Sequence, residues 1–403
     1  MCGGFVRPFS SPRVHIAIHY PLKNDAKRFN HARSPAALPR LSLRNGFSPK
    51  TPRNRKRIVV ASSMLGFTPV HSAVGGLLIG AAAVGRLALT GKILGVSGIA
   101  RGVFLGDWSP WRLSFLSGIV SGGFLAAKLI SGVFEPMIIS TSRSVIGGLL
   151  VGLGSSMGNG CTSGHGICGN ARLSIRSMVY TLTFMGSAFI TAALVGTPSA
   201  FDLPTTPLSY VPPSSDLVKN AMLAFPAALI AMTIPTFMPK PKQSTEVDGS
   251  PPSNTFAMNL AEYVTGSVFG FGLGMSGMTL PSKIASFLSV FHPAFDLSLI
   301  FVMGGALLVA LPGFQYIMRS SRFDKSACGA RFQIPTRKEL DAKLLIGGVV
   351  FGMGWGISGL CPGPALANIA NASTPLLAYL GALGAGFVMD KKIASPLVSR
   401  LTS

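Results

Sequence analysis

The sequence predicts an all-α polytopic membrane protein with about nine transmembrane helices. Four broken-helix repeats are expected within it, arranged as two inverted halves. The mean hydropathy is +0.49 and only 12% of the 403 residues are charged, whereas soluble domains carry about 25% charged residues. Apolar segments of about 20 residues, enough to cross a bilayer, recur along the chain. A glycine-rich pattern at the ends of several of these segments indicates interrupted helices.

The first 62 residues differ from the rest in composition. They contain 13 Lys and Arg residues, one acid (Asp25) and no long apolar core. This composition is typical of an organellar transit peptide and excludes a secretory signal. The chloroplast envelope is the favoured location and the mitochondrial inner membrane is the alternative. The net charge of +22 comes largely from this segment, so it does not indicate nucleic-acid binding.

Nine apolar segments of 16–22 residues follow. Several are short and end in glycine clusters, as interrupted transporter helices do. The predicted spans are about 68–85, 113–134, 145–160, 177–196, 218–238, 258–278, 296–314, 344–360 and 374–390.

Basic residues lie mainly in alternating connections between these spans. The connections after spans one, three, five and seven, and the tail after span nine, are rich in Lys and Arg, whereas the others hold few. Basic loops stay on one side of a membrane. The alternation therefore supports an odd number of spans, with the two ends of the mature chain on opposite sides.

One glycine pattern recurs four times. The copies starting at Gly147 and Gly347 are in the same register, which aligns Cys161 with Cys361. A copy starting at Gly270 places Thr279 at the cysteine position, and a copy starting at Gly75 places Leu89-Thr90 there. The breaks after spans one and three open on the basic side and those after spans six and eight on the other. The halves are therefore expected to be inverted copies whose breaks meet near the membrane midplane.

The break at 160–168 carries the most chemistry. Gly160 lets backbone N–H groups converge, and the helix that follows directs its positive end at the break. Cys161 adds a thiol, a weak and soft donor that suits an anion with a terminal sulfur atom better than sulfate. Thr162 and Ser163 add hydroxyl groups, and Cys361 offers a second thiol from the opposite half.

Other interpretations of this break remain open. Cys161, His165 and Cys168 could hold a metal, although a fourth ligand is missing. Cys161 and Cys168 could form a redox pair, although their spacing is not that of a thiol oxidoreductase. We expect His165 and Cys168 to support the local shape, and we predict no metal and no cofactor.

Two further features bear on the mechanism. Glu262 in span six is either a coupling carboxylate or, as favoured here, an interface residue near the start of the span. The sequence has no G-x-x-x-x-G-K-[ST] loop, so it gives no sign of ATP-driven pumping. Cys328 lies in a basic loop and is expected to be incidental.

The segment from Gly160 to Ser177 resembles the signature of the YeeE/YedE family, whose membrane proteins have a sulphur-transport domain and include bacterial thiosulfate importers. The second half resembles the companion family often encoded beside short YeeE-like proteins. The matching stretches are 272–278, 301–306 and 354–365. The resemblance covers about residues 70–390 and implies a fusion of a YeeE-like half, 63–238, through a linker, 239–257, to a companion half, 258–403.

The resemblance implies a transporter in which cysteines at a narrow waist pass thiosulfate along through thiol hydrogen bonds. By motif, Cys161 is the principal residue and Cys361 its counterpart. The family's cysteine in the first repeat is absent here, since Leu89-Thr90 stand in that region, and Thr279 is a hydroxyl stand-in. The substrate is therefore expected to be thiosulfate or a related sulfur-containing anion.

We therefore predict a transporter and not an enzyme, surrounded by membrane lipid, with a soluble sulfur-accepting protein as a candidate partner. Two alternatives are kept. One is a membrane thiol enzyme or persulfide carrier in which Cys161 reacts covalently. The other is a metal-ion channel that uses the Cys-His-Cys cluster.

Overall fold

The computed structural model describes residues 66–213, 215–238, 256–320 and 325–394. The predicted transit segment, 1–62, and nearly all of the predicted linker, 239–257, lie outside these ranges. The described part is built from helices, and its only β features are two isolated bridges. The α-helices are α1 Pro69–Thr90, α2 Val96–Phe104, α3 Pro110–Leu129, α4 Thr141–Met157, α5 Ile175–Leu194, α6 Thr197–Ala200, α7 Ser215–Thr233, α8 Phe256–Met275, α9 Pro281–Leu288, α10 Ser298–Arg319, α11 Ala342–Ser358, α12 Pro362–Ala367 and α13 Thr374–Met389.

Three shorter segments complete the description. A π-helix, Thr162–Gly169, lies between α4 and α5, and a second, Asp390–Ala394, follows α13. The 3₁₀ turns are Ile234–Phe237 and Asn368–Asn371.

Four units share one plan: a long helix, a break of a few residues, a short helix and another long helix. They are α1–α2–α3, α4–π-helix–α5, α8–α9–α10 and α11–α12–α13. Glycine and proline lie at three of the breaks. Gly91 and Gly359 end α1 and α11 in the left-handed conformation that favours glycine, at φ 72° and 63°. Pro281 and Pro362 begin the short helices α9 and α12, where the missing N–H costs nothing.

The long helices of the four units interlock in pairs. Helix α1 packs against α8, and α4 packs against α11. Both pairs are antiparallel, because Gly75 of α1 lies against Ser276 whereas Ile79, one turn later, lies against Gly272. The second pair repeats this geometry, with Gly147 against Ser358 and Gly154 against Phe351.

Each of these four helices also packs, in parallel, against a second long helix. That second helix belongs to the same unit as its antiparallel partner. Helix α10 packs on α1 and α3 packs on α8, and in the same way α13 packs on α4 and α5 packs on α11. Glycines make these close contacts, since a Cβ on Gly76, Gly152 or Gly352 would lie closer than 3.0 Å to the backbone of the neighbouring helix. Two four-helix groups result, α1, α3, α8, α10 and α4, α5, α11, α13, and α7 lies against α1 and α8.

We expect Gly152→Ala to lower the stability of the protein by about 1–3 kcal/mol, the usual cost of overpacking. The added methyl group would press on the carbonyl of Leu383 in α13, and backbone yields less readily than a side chain. The measurement is the melting temperature in detergent. Gly186→Ala is the matched control, because a Cβ there meets nothing within 4 Å, so alanine should be neutral or stabilising by about 0.5–1 kcal/mol. Equal losses in the two variants would contradict the packing argument.

Each of the nine longest helices of the described ranges overlaps one of the nine predicted spans. By length and hydropathy, however, only four of these helices could cross a membrane: Pro69–Thr90, Ile175–Leu194, Leu217–Phe237 and Ser298–Arg319. A fifth counts if the pair Ala342–Ser358 and Pro362–Asn371, bent by 43°, forms one span. These apolar helices identify an integral membrane protein, whereas the count of nine spans stays a prediction.

One expectation about the first unit is wrong. Helix α1 continues to Thr90, so Leu89-Thr90 lie in its last turn, and the break is instead the loop before Val96. In the third unit Glu262 is fully buried inside the protein: it forms an ion pair with Arg86, at 2.7 Å between Oε2 and Nε, and lies 3.8 Å from Lys92. The predicted first span ended at residue 85, so Arg86 lay outside it and its pairing with Glu262 was not predicted.

Candidate substrate site

The break of the second unit begins with a reversal of the backbone. Asn159 has a φ of 57°, a conformation that asparagine tolerates better than most residues. Gly160 follows, and a Cβ there would meet the ring of His165. The chain then enters the π-helix with Cys161 at its start. Its wide turns, which are frequent at functional sites, leave Cys161 buried at 1% exposure, with Sγ 3.3 Å from the hydroxyl of Ser163.

The break of the fourth unit brings the second predicted cysteine to the same place. Cys361 is the N-cap residue, directly before α12, and is 1% exposed. The hydroxyl of Thr162 donates to its Sγ at 3.7 Å. The residue after one cysteine thus contacts the other across 199 positions of sequence, and both cysteines belong to one buried cluster.

Two buried tyrosines hold the cysteine breaks in matching ways. Tyr180 of α5 donates to the carbonyl of Gly160 at 3.2 Å, and Tyr379 of α13 donates to the carbonyl of Leu360 at 2.9 Å. Each carbonyl belongs to the residue just before a cysteine. This pair of tyrosines was not predicted from the sequence, although a tyrosine follows Cys161 by 19 positions and Cys361 by 18.

His165 and Cys168, the two predicted supporting residues, each hydrogen-bond to backbone or side-chain groups outside the π-helix. The two ring nitrogens of His165 lie 3.0 Å from the hydroxyl of Ser177 and 3.0 Å from the carbonyl of Gly158, so the ring bridges the two sides of the break. The thiol of Cys168 donates to the carbonyl of Leu94 in the loop after α1, at 3.3 Å. Because Cys161, His165 and Cys168 have separate partners, the structure does not gather them around a common point. Within the described ranges, no three His, Cys, Asp or Glu residues are placed to hold a metal ion.

A small cavity lies at the first cysteine. Its volume is about 40 Å³, which admits only a few water-sized groups, since a cavity needs at least roughly 10–15 Å³ by this measure to hold one water molecule. The lining contains no charged side chain. It combines the Cys161 thiol, two hydroxyl groups, two methionine thioethers and apolar groups: Ile79, Cys161, Thr162, Ser163, Ile167, Phe269, Leu273, Met278, Val302, Met303, Gly363 and Pro364.

The cavity draws on all four units but not on every predicted residue. Cys361 is not part of the lining, but it contacts Thr162, which is. Gly160 is not part of the lining either, although its neighbour Cys161 is. Thr279 is fully buried, but its hydroxyl donates to the carbonyl of Val133 at 2.6 Å and it is not part of the lining. Its neighbour Met278 lines the cavity instead. In the first unit, Ile79 of α1 supplies the wall, and nothing there corresponds to the two thiols.

The lining suits weak binding of a soft solute. Thiol and thioether groups are polarisable and form weak hydrogen bonds. A strongly hydrated anion would lose its water at this point without gaining charged partners. The site can therefore pass along a solute that a few neutral donors hold only loosely.

A helical membrane fold with interrupted helices around a narrow, neutral constriction defines a membrane transport protein. Comparison with known proteins agrees. Residues 37–190 match the family described as sulphur transport, and residues 258–396 match a family of unknown function (DUF6691). Each match covers two of the four units.

Curated relatives carry the same indication. A probable transporter of Xylella fastidiosa (strain 9a5c) is 40% identical over 128 residues, which cover 32% of this chain and 86% of the relative. A probable transporter of Xylella fastidiosa (strain Temecula1 / ATCC 700964) is 41% identical over 124 residues, or 30% of this chain and 92% of the relative. The chain belongs to the sulphur-transport family of YeeE/YedE type, and the family is one of transport proteins rather than enzymes.

Proposed function

We propose that the protein carries thiosulfate or a related anion with a terminal sulfur atom across a membrane, passing it between the thiols of Cys161 and Cys361. The observation that carries this proposal is the convergence of the two cysteine breaks, in which Thr162 contacts Cys361. Each thiol can donate one hydrogen bond to a sulfur or oxygen atom of the anion without binding it tightly. Passage requires such weak binding at successive sites.

The proposed route runs through the centre of two inverted halves with nine spans in all. The antiparallel pairs α1–α8 and α4–α11 support this arrangement, since helices at equivalent positions in inverted repeats run in opposite directions. Two separate family matches, one in each half, support an origin as a fusion of two half-transporters.

The cavity at Cys161 must widen for an anion to pass. At about 40 Å³ it corresponds to a closed constriction. The unbranched side chains of Met278 and Met303 are the adaptable parts of its wall, because methionine changes rotamer at low cost. The rest of the wall consists of packed helices and proline-containing breaks.

The two alternatives have less support. A covalent thiol enzyme does not fit a family of transport proteins. A metal-ion channel would need Cys161, His165 and Cys168 to converge, whereas each has its own partner. The proposed organelle location, with the chloroplast envelope favoured over the mitochondrial inner membrane, rests on the composition of residues 1–62, and import into isolated organelles tests it. A soluble sulfur-accepting protein is the proposed partner on the receiving side.

The test of the proposed function is uptake of labelled thiosulfate by liposomes that contain the purified protein. We expect thiosulfate to enter, unlabelled thiosulfate to compete strongly, and sulfate, which lacks the soft sulfur atom, to compete weakly, with sulfite compared alongside. Release of sulfide without uptake would indicate a thiol enzyme instead. Uptake of sulfate as fast as thiosulfate would refute selection by thiols.

We expect Tyr180→Phe to slow uptake about threefold to tenfold while leaving the protein folded. The variant keeps the ring but removes the hydroxyl that holds the carbonyl before Cys161, and one such hydrogen bond contributes roughly 1 kcal/mol. The measurement is initial uptake at low substrate concentration. Tyr316→Phe, on the exposed side of α10, is the control and should transport like the parent. An unchanged rate in Tyr180→Phe would show that this hydroxyl does not position the cysteine.

A further inference from the structure

A second and larger cavity, of about 240 Å³, opens beside the first unit. It lies where α1 ends, between the loop before α2 and the start of α3. We name it the basic vestibule, after its cations Arg86, Lys92 and Arg112, which surround the ring of Trp111. Neither the proposed transport step nor the family comparison uses it.

The cations of the basic vestibule are unequally neutralised. Both sides of the Arg86 guanidinium are occupied, by the two oxygens of Glu262 at 2.7 and 3.2 Å and by the carbonyl of Ile93 at 2.5 Å. Arg112 donates to Asp107 at 2.8 Å. Three cations thus share two carboxylates, and one positive charge remains.

Lys92 holds the weakest pairing of the three. Its amine lies 3.8 Å from Glu262, beyond hydrogen-bond distance, and 3.4 Å from the centre of the Trp111 ring. The residue is only 7% exposed. A buried amine that depends on a shared carboxylate and an aromatic face gains from a further anion.

The basic vestibule borders the constriction. Gly95, in its wall, faces Gly164 of the π-helix. One residue further on, the backbone N–H of Val96 donates to the hydroxyl of Ser163 at 3.2 Å, and that hydroxyl lies 3.3 Å from the Sγ of Cys161. A single layer of backbone and one serine therefore separate the vestibule from the thiol.

We propose that the basic vestibule is an anion-binding site, in which Lys92 holds a small inorganic sulfur oxyanion before it reaches Cys161. The role in transport rests on the proposed function, whereas the anion binding itself does not. The wall offers charge, an aromatic ring and open glycine backbone, in contrast to the neutral constriction. In this arrangement the charged vestibule attracts the anion, and the neutral constriction, which binds it weakly, lets it pass.

The protonation of Lys92 supports this assignment. Burial lowers the pKa of Lys92 to about 8, although the Glu262 carboxylate opposes the decrease and Arg86 and Arg112 add to it. Asp107, paired with Arg112, is the other charged group nearby, and the segment at Gln333 and Pro335 contributes no charge. Lys92 is therefore charged at neutral pH, and anion binding should weaken as the pH rises through about 8.

Iodide quenching of tryptophan fluorescence tests the site without any transport. In a Trp108→Phe background the signal accessible to a soluble quencher comes from Trp111, because Trp355 is only 3% exposed. At constant ionic strength, Lys92→Gln should lower the iodide quenching constant about threefold to tenfold, the scale expected for one charge at a partly screened site. Quenching by neutral acrylamide should not change, and thiosulfate should relieve iodide quenching only when Lys92 is present.

Lys128→Gln, which removes an exposed lysine on the same helix as Trp111, is the matched control and should quench like the parent. Lys92→Arg should retain quenching and lose its decline above pH 8. Equal iodide quenching with and without Lys92 would overturn the site. Intact quenching in a protein that takes up no thiosulfate would overturn the proposed function and leave the anion site standing.

Discussion

Cys161→Ala should abolish thiosulfate uptake by reconstituted liposomes, to at most about 1% of the parent rate. The substitution removes the only thiol among the lining residues of the constriction and leaves an apolar methyl group where an anion must lose water, which costs several kcal/mol if no donor replaces the water. The backbone around the break should persist, since Tyr180 and His165 hold it through other atoms. The measurement is the initial uptake rate at matched protein density, with melting temperature as the test of folding.

Cys328→Ala is the control for this prediction. Cys328 is also a buried thiol, at 3% exposure, but it belongs to a different cluster from Cys161 and lies outside the constriction lining. We expect its uptake to be within twofold of the parent. The uptake rate of Cys361→Ala should fall between those of Cys161→Ala and Cys328→Ala, because Cys361 does not line the constriction itself but contacts the lining residue Thr162. Parent-like uptake by Cys161→Ala would rule out passage by its thiol.

Glu262→Ala should destabilise the protein by about 3–5 kcal/mol, the typical cost of removing one partner from a buried ion pair. Glu262 is 0% exposed and is the carboxylate for both Arg86 and Lys92. Its loss would leave the Arg86 guanidinium, 1% exposed, without an acidic partner. Thermal unfolding in detergent, followed by circular dichroism, measures the effect.

Glu339→Ala provides the comparison on the surface. The side chain of Glu339 is 79% exposed in its pair with Arg337, so we expect a change below about 1 kcal/mol. The double variant Arg86→Met, Glu262→Met should recover part of the stability lost in Glu262→Ala, because replacing a buried pair by apolar side chains is often neutral or stabilising. If Glu262→Ala melted like Glu339→Ala, the ion pair would not contribute as the geometry indicates.

The helices and two of the breaks could be predicted from the sequence because their causes are local. The length of an apolar segment determines whether it can form a membrane-crossing helix. Glycine and proline interrupt such a helix, as Gly359 and Pro362 do between α11 and α12. The shared register of Cys161 and Cys361 likewise needs only the repeat. These features follow from composition and spacing alone.

The partners across the fold could not be predicted, because they depend on distant segments. Whether Glu262 is exposed or buried is decided by Arg86, 176 positions away. The same holds for Thr279, whose spacing aligns it with the cysteines although its hydroxyl bonds to Val133. The end of α1 was misplaced since Arg86 was taken as a boundary, whereas its burial against Glu262 lets the helix continue to Thr90.

The interlocked pairing of the helices also sets the order in which the protein can be completed during membrane insertion. Helix α4, which ends at Met157, finds its main partners only when α11 and α13, which begin at Ala342 and Thr374, are also in the membrane. Until the second half has entered the membrane, the glycine-lined faces of the first half lack these partners. During this time they are open to unrelated helices and to quality-control proteases. Assembly, like transport, therefore depends on both halves being present at once.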